Sequence, residues 1–245
     1  MERILIFGGT TEGRELARKY ALRGDAVTVC VTSEYARALL GEDIPCHVGA
    51  MDGGQMAAFM EALCPDRVID ATHPFAVRAT QTIRDCARRL GLPLERVARE
   101  QTRADWRDAV QWAADADDAA DMLAAAPGNV LLTTGSHTLS RYARSADAAR
   151  LYVRVLPTHQ ALEACGQAGI LPSHIVAMQG PFTAELNAAI YDQLGIRVMV
   201  TKDSGASGGI DEKVIPALKR DIHVIVIKRP EEKTDTGGSA CGENR

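Results

Sequence analysis

The architecture can be read from the opening residues, Arg3-Ile4-Leu5-Ile6-Phe7-Gly8-Gly9-Thr10-Thr11-Glu12-Gly13-Arg14-Glu15-Leu16-Ala17. An apolar run that ends at a glycine pair is typical of a buried parallel strand followed by a tight turn and a helix. We expect the amides of Gly9, Thr10 and Thr11 to be unpaired at the helix N-terminus, where N–H groups and the helix dipole favour a phosphate. Gly13 is expected to let the helix pack closely on the strand, as the third glycine of a dinucleotide-binding turn does.

The spacing of these glycines is not the usual dinucleotide fingerprint. The turn reads G-G-T-T-E-G, so threonine stands where the second glycine of that fingerprint normally falls. A single glycine-rich turn is weak evidence for a ligand. On this motif alone, a strand–turn–helix unit without a ligand is the alternative to a nucleotide site.

The composition limits the possible partners. The 245 residues are enough for one large or two small domains, and 46% hydrophobic with 24% charged residues is typical of a soluble globular protein. Aromatic residues make up 4% of the chain, and the net charge is -4. Few stacking rings and an acidic balance disfavour nucleic acid and an anionic membrane as the main partner. An anionic substrate would therefore have to be met by a local basic patch.

The cysteines and the apolar runs indicate the compartment. The six cysteines are scattered, without a C-x-x-C pair or a cysteine–histidine cluster at metal-ligand spacing. We expect reduced thiols that mostly fill space in the core, and no metal site. Met1 leads directly into a predicted strand, and no apolar run approaches membrane-spanning length. The sequence therefore predicts a cytoplasmic protein without a membrane segment.

A second apolar strand, 26–31, ends at Thr32 and Ser33, and Arg37 follows one helical turn later. An NAD-binding unit usually has Asp or Glu at this position to bind the ribose 2′-hydroxyl. Two hydroxyls and a guanidinium suit a 2′-phosphate instead, which favours NADPH over NADH. The alternative is a helix that is capped by Ser33 and carries a solvated arginine.

The strand at 67–71 runs into Thr72, His73 and Pro74. Because proline is tolerated at the first position of a helix, this pattern predicts a helix from Pro74 to Leu90 with His73 as its N-cap. The position is the carboxyl end of a parallel strand, where open α/β sheets bind ligands. A histidine there could contact the nicotinamide or the substrate, or donate a proton, or it could only cap the helix.

Strands and helices alternate along the rest of the chain, which predicts an α/β fold with parallel sheets. The strand at 129–132 is again followed by a glycine and hydroxyl residues, so we predict two similar, doubly wound halves with a cleft between them. We place an N-terminal domain at 1–132, a C-terminal domain at 133–233 and a disordered tail at 234–245. The residues from Arg99 to Trp112 have no clear period and are predicted to be an irregular connection.

The loop from Lys202 to Lys213 has three glycines and two serines between its lysines. Serines and free backbone N–H groups form anion-binding concavities, the lysines add donors, and Asp203 could orient them. Ser136-His137 and Gly180-Pro181 lie at equivalent strand ends, so the three loops should face one crevice. Pro181 is also expected to start a helix from Phe182 to Leu194. The alternative is a flexible surface loop with its charges in water.

Five segments together resemble the precorrin-6A reductase family of cobalamin biosynthesis. They are Ile6–Gly13, Ile69–Ala76, Leu132–Ser136, Gly180–Phe182 and Thr201–Gly209. The resemblance extends over nearly the whole chain, and only the tail lies outside it. It implies two Rossmann-like domains with the corrinoid precursor between them. The implied reaction is hydride transfer from NADPH to a carbon–carbon double bond of precorrin-6A, or of its cobalt form, to give precorrin-6B.

The resemblance also implies roles for individual residues. The implied cofactor-binding residues are Gly8, Gly9, Thr10, Thr11, Gly13, Thr32, Ser33, Arg37, Thr72 and Pro74. The implied substrate-binding residues are Ser136, His137, Gly180, Pro181, Lys202, Ser204, Gly205, Ser207 and Lys213. The candidate catalytic residues are His73, Lys202 and Asp203.

Two other classes of function compete with a reductase. A methyltransferase that uses S-adenosylmethionine also opens with strand, glycine and helix, but it would need an acid at the end of the second strand, where Thr32 and Ser33 stand. A nucleotide-sensing protein without chemistry would not need the paired polar loops of the second half.

Overall fold

The computed structural model describes residues 1–97 and 105–230, apart from the side chain of Ser207. Two parallel sheets, each with helices on both faces, make up these residues, so the predicted α/β fold is confirmed. The predicted disordered tail at 234–245 lies outside the described residues.

The first sheet has the strand order β3-β2-β1-β4-β5. Its strands are β1 (Arg3–Phe7), β2 (Ala26–Val31), β3 (Cys46–Val48), β4 (Arg67–Asp70) and β5 (Leu94–Arg96). Its helices are α1 (Thr11–Leu22), α2 (Glu34–Leu40), α3 (Gly53–Leu63) and α4 (Val77–Arg89). The order reverses between β1 and β4, and this reversal opens a crevice at the carboxyl ends of the strands.

The second sheet has the strand order β6-β11-β10-β7-β8-β9. Its strands are β6 (Gln111–Ala113), β7 (Asn129–Leu132), β8 (Leu151–Val155), β9 (Ile175–Ala177), β10 (Ile196–Lys202) and β11 (His223–Ile227). Its helices are α5 (Ala116–Ala125), α6 (Leu139–Ser145), α7 (His159–Gln167), α8 (Ala184–Gln193) and α9 (Asp211–Leu218). Leaving β6 aside, the order 9-8-7-10-11 repeats that of the first sheet, and the reversal falls between β7 and β10.

Continuous apolar strands explain why both sheets are covered on two faces. In β1, Ile4 and Ile6 pack against α1 and α2, whereas Leu5 and Phe7 pack against α3 and α4. In the second sheet the same alternation separates a core under α5, α6 and α7 from a core under α8 and α9. The direction of a strand side chain therefore decides which helical layer it meets.

The predicted boundary between 132 and 133 is wrong for the sheets. Strand β7 (Asn129–Leu132) lies between β10 and β8, and β6 pairs with β11, so the second sheet begins at Gln111. The division falls between Arg96 and Gln111. The partners of β6 and β7 come much later in the chain, and local sequence does not reveal such distant pairing.

The predicted irregular connection is also wrong over its described part. Residues Asp105–Ala109 form a 3₁₀ turn, and Gln111–Ala113 form the edge strand β6. Three residues are too few to show a strand period.

Three helices start later or earlier than predicted. Helix α4 begins at Val77 with Ala76 as its N-cap, so Pro74 is not its first residue and His73 does not cap it. Helix α8 begins at Ala184 with Thr183 as N-cap, beyond the predicted start after Pro181. Helix α9 begins at Asp211, which puts Lys213 inside its first turn instead of at the end of a loop.

The carboxyl ends of the two sheets meet through two side-chain contacts. The Tyr35 hydroxyl, at the start of α2, donates to Oε1 of Gln179, which follows β9. Phe75, which follows β4, packs against the core under α5, α6 and α7, and its ring centroid lies 5.2 Å from Nζ of Lys202. The loops of both halves therefore face one another, as two domains with a shared cleft require.

Candidate active site

The glycine turn after β1 needs its glycines for different reasons. Gly9 has φ +103°, which favours glycine. A Cβ on Gly13 would lie 3.2 Å from Cβ of Ala71 and 3.3 Å from Cα of Gly8, so this glycine lets α1 approach β4 and the turn closely. The close packing predicted for Gly13 is thus present in the structure.

The Thr10 side chain serves the fold. Its hydroxyl accepts from the Gly13 amide at 3.1 Å as the N-cap of α1 and donates to the Ala71 carbonyl at 2.9 Å. The Thr11 hydroxyl accepts from Nη2 of Arg14 at 3.0 Å. Within the described ranges the amides of Gly9, Thr10 and Thr11 make no hydrogen bond. The turn therefore offers backbone donors to a ligand, while its first hydroxyl is already engaged.

A cavity of about 370 Å³ lies beside this turn. Gly8, Thr32 and Thr72 line it from the ends of β1, β2 and β4, and Arg78 lines it from α4. Its volume falls in the range of small-molecule sites. Unbonded amides at the start of a helix of 12 residues, next to a cavity of this size, fit the pyrophosphate and one nucleoside of a dinucleotide.

The corner after β2 has the geometry of a capped helix. The Ser33 hydroxyl accepts from the Ala36 amide at 3.2 Å as the N-cap of α2. Thr32 and Arg37 are exposed, and the Arg37 side chain has no hydrogen bond or ion pair among the residues that the structure describes. The arginine is therefore available to an added anion, whereas the serine already has a partner.

A buried ion pair holds the loop from Thr72 to Phe75. Oδ1 of Asp70 accepts from Nη1 of Arg96 at 2.8 Å, from the Thr72 amide at 3.0 Å and from the Thr72 hydroxyl at 2.7 Å. Nη1 of Arg96 also donates to the Thr72 carbonyl at 3.1 Å. Asp70 is 1% exposed, so the end of β4 is fixed by a desolvated pair.

His73 stands on this fixed loop, half-buried. Its Nδ1 accepts from the Phe75 amide at 3.2 Å, and its carbonyl accepts from the Ala76 amide at 2.8 Å. An acceptor at Nδ1 leaves the proton of the neutral ring on Nε2. Pro74, the next residue, is also half-buried and lies in the turn that the histidine closes.

Lys202 faces the first half of the molecule. Strand alternation points its side chain to the same face as Val198 and Val200, which pack under α5, α6 and α7. Its ammonium lies near the Phe75 ring, as a cation–π contact requires. Burial lowers the pKa of Lys202. The lysine and the His73 loop are thus brought together.

The Asp203 side chain lies among arginines and away from the side chain of Lys202. It is 2% exposed and lies 3.5 Å from Nη1 of Arg107 and 3.7 Å from Nη2 of Arg229. Its carbonyl accepts from Nε of Arg229 at 2.9 Å. These contacts make it the carboxylate of a structural ion-pair cluster, which does not support the catalytic role predicted for it.

Lys213 lies apart from Lys202 as well. Its Nζ is 3.4 Å from the hydroxyl of Ser204, which is 7% exposed and donates to the Gly208 carbonyl at 3.1 Å. Val214, the next residue of α9, belongs to the core under α8 and α9. Burial and the nearby Arg154 lower the pKa of Lys213 to about 7. The single anion site predicted between the two lysines is therefore divided between two faces of the sheet.

The other loop residues predicted to bind substrate lie at the strand ends. Ser136 is half-buried and His137 exposed in a 3₁₀ turn after β7, while Gly180 is half-buried and Pro181 exposed after β9. Gly205 has φ +71° and precedes the 3₁₀ turn Ala206–Gly208, which includes Ser207.

Three arginines at these sites carried no role in the sequence prediction. Arg78 lines the cavity, Arg96 holds the Thr72 loop, and Arg154 is buried near Lys213. Arg154 interrupts an otherwise apolar strand, and that is a signal which sequence reading could have used.

The described cysteines, Cys30, Cys46, Cys64, Cys86 and Cys165, are free. Among the residues with described positions, no group of three or more His, Cys, Asp or Glu side chains could hold a metal ion. In the same residues, no helix is long and apolar enough to cross a membrane.

Fold and site together define a parallel α/β protein of two sheets, with a glycine-rich turn and a cavity at the strand ends of the first sheet and Lys202 at the strand ends of the second. Residues 3–242 match the family model described as precorrin-6x reductase CbiJ/CobK. The chain belongs to this family, and it is accordingly a reductase of cobalamin biosynthesis.

Individual relatives agree with the family match. The chain is 33% identical to the cobalt-precorrin-6A reductase of Priestia megaterium, over 93% of this chain and 91% of the relative. It is also 33% identical to the precorrin-6A reductase of Rhodococcus erythropolis, over 94% of this chain and 90% of the relative. A solved structure titled CobK precorrin-6A reductase has a TM-score of 0.77 and 24% identity, covering 96% of this chain and 91% of that one, which shows a shared fold.

Proposed function

We propose that this protein reduces a carbon–carbon double bond of precorrin-6A, or of cobalt-precorrin-6A, with NADPH in the cytoplasm, giving the dihydro product precorrin-6B. The observation that carries the proposal is the meeting of the His73–Phe75 loop, beside the glycine turn, with Lys202 of the second sheet. The names of the curated relatives support the substrate.

The first half would hold the cofactor. Unbonded amides of Gly9, Thr10 and Thr11 would donate to the pyrophosphate, because N–H groups at a helix start favour anions. Thr32 and Arg37, with Ser33 behind them, would bind the 2′-phosphate, since a guanidinium offers paired donors to phosphate oxygens. Gly8 and Gly13 keep this turn compact. Thr72 and Pro74 would line the nicotinamide end of the same edge.

The second half would hold the macrocycle. Its many carboxylates require cations although the whole chain has a net charge of -4. Lys202 supplies one at the edge that faces the first half. The loop residues that would accompany it are Ser136, His137, Gly180, Pro181, Ser204, Gly205, Ser207 and Lys213.

Bound reduced nicotinamide would supply the hydride for the double bond. The second carbon of that bond must gain a proton, and His73 would donate it from the imidazolium form and return to the neutral ring, whose Nδ1 accepts from the Phe75 amide. Lys202 would orient an acidic arm of the ring and stabilise negative charge in this partly buried place. Holding the two reactants in contact accounts for much of the rate.

Turnover of purified protein tests this proposal. Incubation with NADPH and either precorrin-6A or its cobalt form, followed by macrocycle absorbance, is expected to show reduction, and NADH is expected to be a poor substitute. Tight binding of S-adenosylmethionine, or no reduction of either precursor, would contradict the proposal.

Arg37→Glu tests the cofactor assignment separately. The variant should bind NADPH at least about tenfold more weakly and bind NADH with unchanged affinity, because the substitution removes only the contact with the 2′-phosphate. Arg18→Glu, on α1, is the control, since it changes the same charge elsewhere on the first half. Equal NADPH affinity in the two variants would remove Arg37 from the site.

A further inference from the structure

Arg154 is a buried cation inside an apolar strand. It occupies the fourth position of β8 and is 7% exposed. Strand alternation points it to the face covered by α8 and α9, opposite the face of Val153 and Val155. Burial lowers its pKa. A guanidinium in such a place needs partners, because an uncompensated buried charge is costly.

The partners of Arg154 leave part of the guanidinium unused. Nη1 donates to Oδ1 of Asn187 at 2.6 Å, and Nδ2 of Asn187 donates to the Thr183 carbonyl at 2.9 Å, which fixes the amide. The Phe182 ring lies 4.1 Å from the guanidinium carbon and covers its face. The in-plane Nε and Nη2 donate to no described residue, and neither is among the fully buried unpartnered atoms. Solvent therefore reaches donors that point in the guanidinium plane.

Lys213 adds a second cation on the face of the sheet that α8 and α9 cover, where Arg154 also lies against Asn187 of α8. The positive charge of Arg154 is one cause of the lowered pKa of Lys213. In the described part of the chain neither forms a salt bridge, and the Lys213 ammonium has Ser204 as its hydrogen-bond partner. Two cations on one face of the sheet, Arg154 buried and Lys213 half-buried, destabilise the free protein when neither has a carboxylate in a salt bridge.

The position of this pair relates it to the cleft. Phe182 belongs to the loop after β9, which also carries Gln179 and its contact to Tyr35. Ser204 belongs to the loop after β10, directly beyond Lys202. The pair thus lies under two of the loops that face the first half.

We propose that Arg154 and Lys213, together with Ser204, form a buried subsite that binds one carboxylate of the macrocycle. This proposal rests on the proposed function, because the macrocycle supplies the acid. An incoming carboxylate gives the two cations their counter-charge and can take paired in-plane donors from Arg154. Lys202, on the opposite face of the sheet, binds a different part of the ring, so the substrate is held at two separated points.

The test uses the full-length variants Arg154→Met and Lys213→Met, with Lys219→Met as control. Lys219 is an exposed residue directly after α9, so its variant changes the same charge without touching the subsite. The probe is uroporphyrin III, a stable polycarboxylate macrocycle, titrated by quenching of tryptophan fluorescence. NADPH affinity, thermal unfolding and, where the wild type turns over, KM and kcat are measured alongside.

Each subsite variant is expected to bind uroporphyrin at least about tenfold more weakly, because a hydrogen bond to a charged group is lost. KM for the precursor should rise more than kcat falls, NADPH affinity should stay unchanged, and Lys213→Met should unfold at the same or a higher temperature. Unchanged uroporphyrin affinity in both variants, or absence of binding by the wild type, overturns the proposal. Equal loss of NADPH and uroporphyrin affinity also overturns it. Failure of the wild type to reduce precorrin-6A while uroporphyrin binding remains sensitive to both variants would instead contradict the reaction and leave the carboxylate subsite standing.

Discussion

Lys213 links the ionisation of one side chain to the stability of the whole fold. Its pKa is about 7, against 10.5 for an ordinary lysine, because burial and Arg154 outweigh the attraction of Glu212. Tyr191, from α8, donates its hydroxyl to the Lys213 carbonyl at 2.9 Å. Between these two pKa values the unfolded chain binds more protons than the folded chain, so this group makes the free energy of unfolding rise with pH. Below the lower value its destabilising effect is complete.

Replacing Lys213 with methionine should remove that pH dependence. We expect Lys213→Met to unfold at a higher temperature than the wild type near pH 6.5 and the difference to shrink toward pH 10, since the window is set by the values about 7 and 10.5. Thermal unfolding across that range, with Lys219→Met as reference, measures the effect. A parallel shift of the wild-type and Lys213→Met curves at every pH would contradict it.

His73 combines a structural contact with a candidate chemical one, and two substitutions separate them. Asparagine can accept from the amide two residues on, as Nδ1 does from Phe75, whereas alanine cannot. If the ring donates the proton, His73→Asn and His73→Ala should both lower kcat by about 100-fold. Single-turnover reduction at saturating NADPH is the measurement. Near-normal turnover of the asparagine variant would limit His73 to holding the turn.

At the scale of elements, the contact between α1 and β4 depends on the absence of one methyl group. Gly13→Ala would place a Cβ 3.2 Å from that of Ala71, and overpacking of this kind costs about 1–3 kcal/mol. Gly166→Ala in α7 is the matched control, because its Cβ would meet nothing within 4 Å. Denaturant unfolding should show a loss of stability for the first variant and no loss for the second. We expect weaker NADPH binding only for Gly13→Ala.

The end of β4 depends on the buried pair of Asp70 and Arg96. Arg96→Met should lower the free energy of unfolding by about 3–5 kcal/mol, because Asp70 would keep a buried charge without its partner. The loop that carries His73 should loosen, so kcat should fall as well. Arg3→Met breaks the exposed pair with Asp66 and should cost much less. Similar losses of unfolding free energy in the two variants would show that the buried pair of Asp70 and Arg96 stabilises the fold no more than the exposed pair does.

The sequence predicted most elements because their signals are local. The apolar run of β1 and the glycine turn show a period and a stop that need no partner. The starts of α4 and α8 were predicted too early, because proline at the first helical position is only a statistical preference. The turn that His73 closes delays the start of α4, and the Thr183 N-cap sets the start of α8. The grouping of Arg154 with Lys213 was also beyond reach, because they lie in β8 and α9 and come onto one face of the sheet only in the folded second half.

At the scale of the whole molecule, the edge strand β6 of the second sheet comes from the segment that joins the two halves, ahead of the other five strands of that sheet. Strand β6 pairs with β11, although β11 closes the described part of the chain and β6 opens the second half. The repeated order of the other strands was accessible from the alternation of elements, and the edge position of β6 was not. Sheet membership, and hence the position of the boundary, is a property of long-range pairing.

The hydrogen bond between Tyr35 and Gln179 has a consequence for cooperativity. Tyr35 lies two residues before Arg37 on the short helix α2, and Gln179 lies three residues before Phe182, which covers Arg154. A ligand that moves Tyr35 or Gln179 through its own site therefore changes the binding free energy of the ligand in the other half. Linkage then requires reciprocity: whatever factor the macrocycle adds to NADPH affinity, NADPH must add to macrocycle affinity. In Tyr35→Phe, the effect of the macrocycle on NADPH affinity and the effect of NADPH on macrocycle affinity should both decrease, and by the same factor.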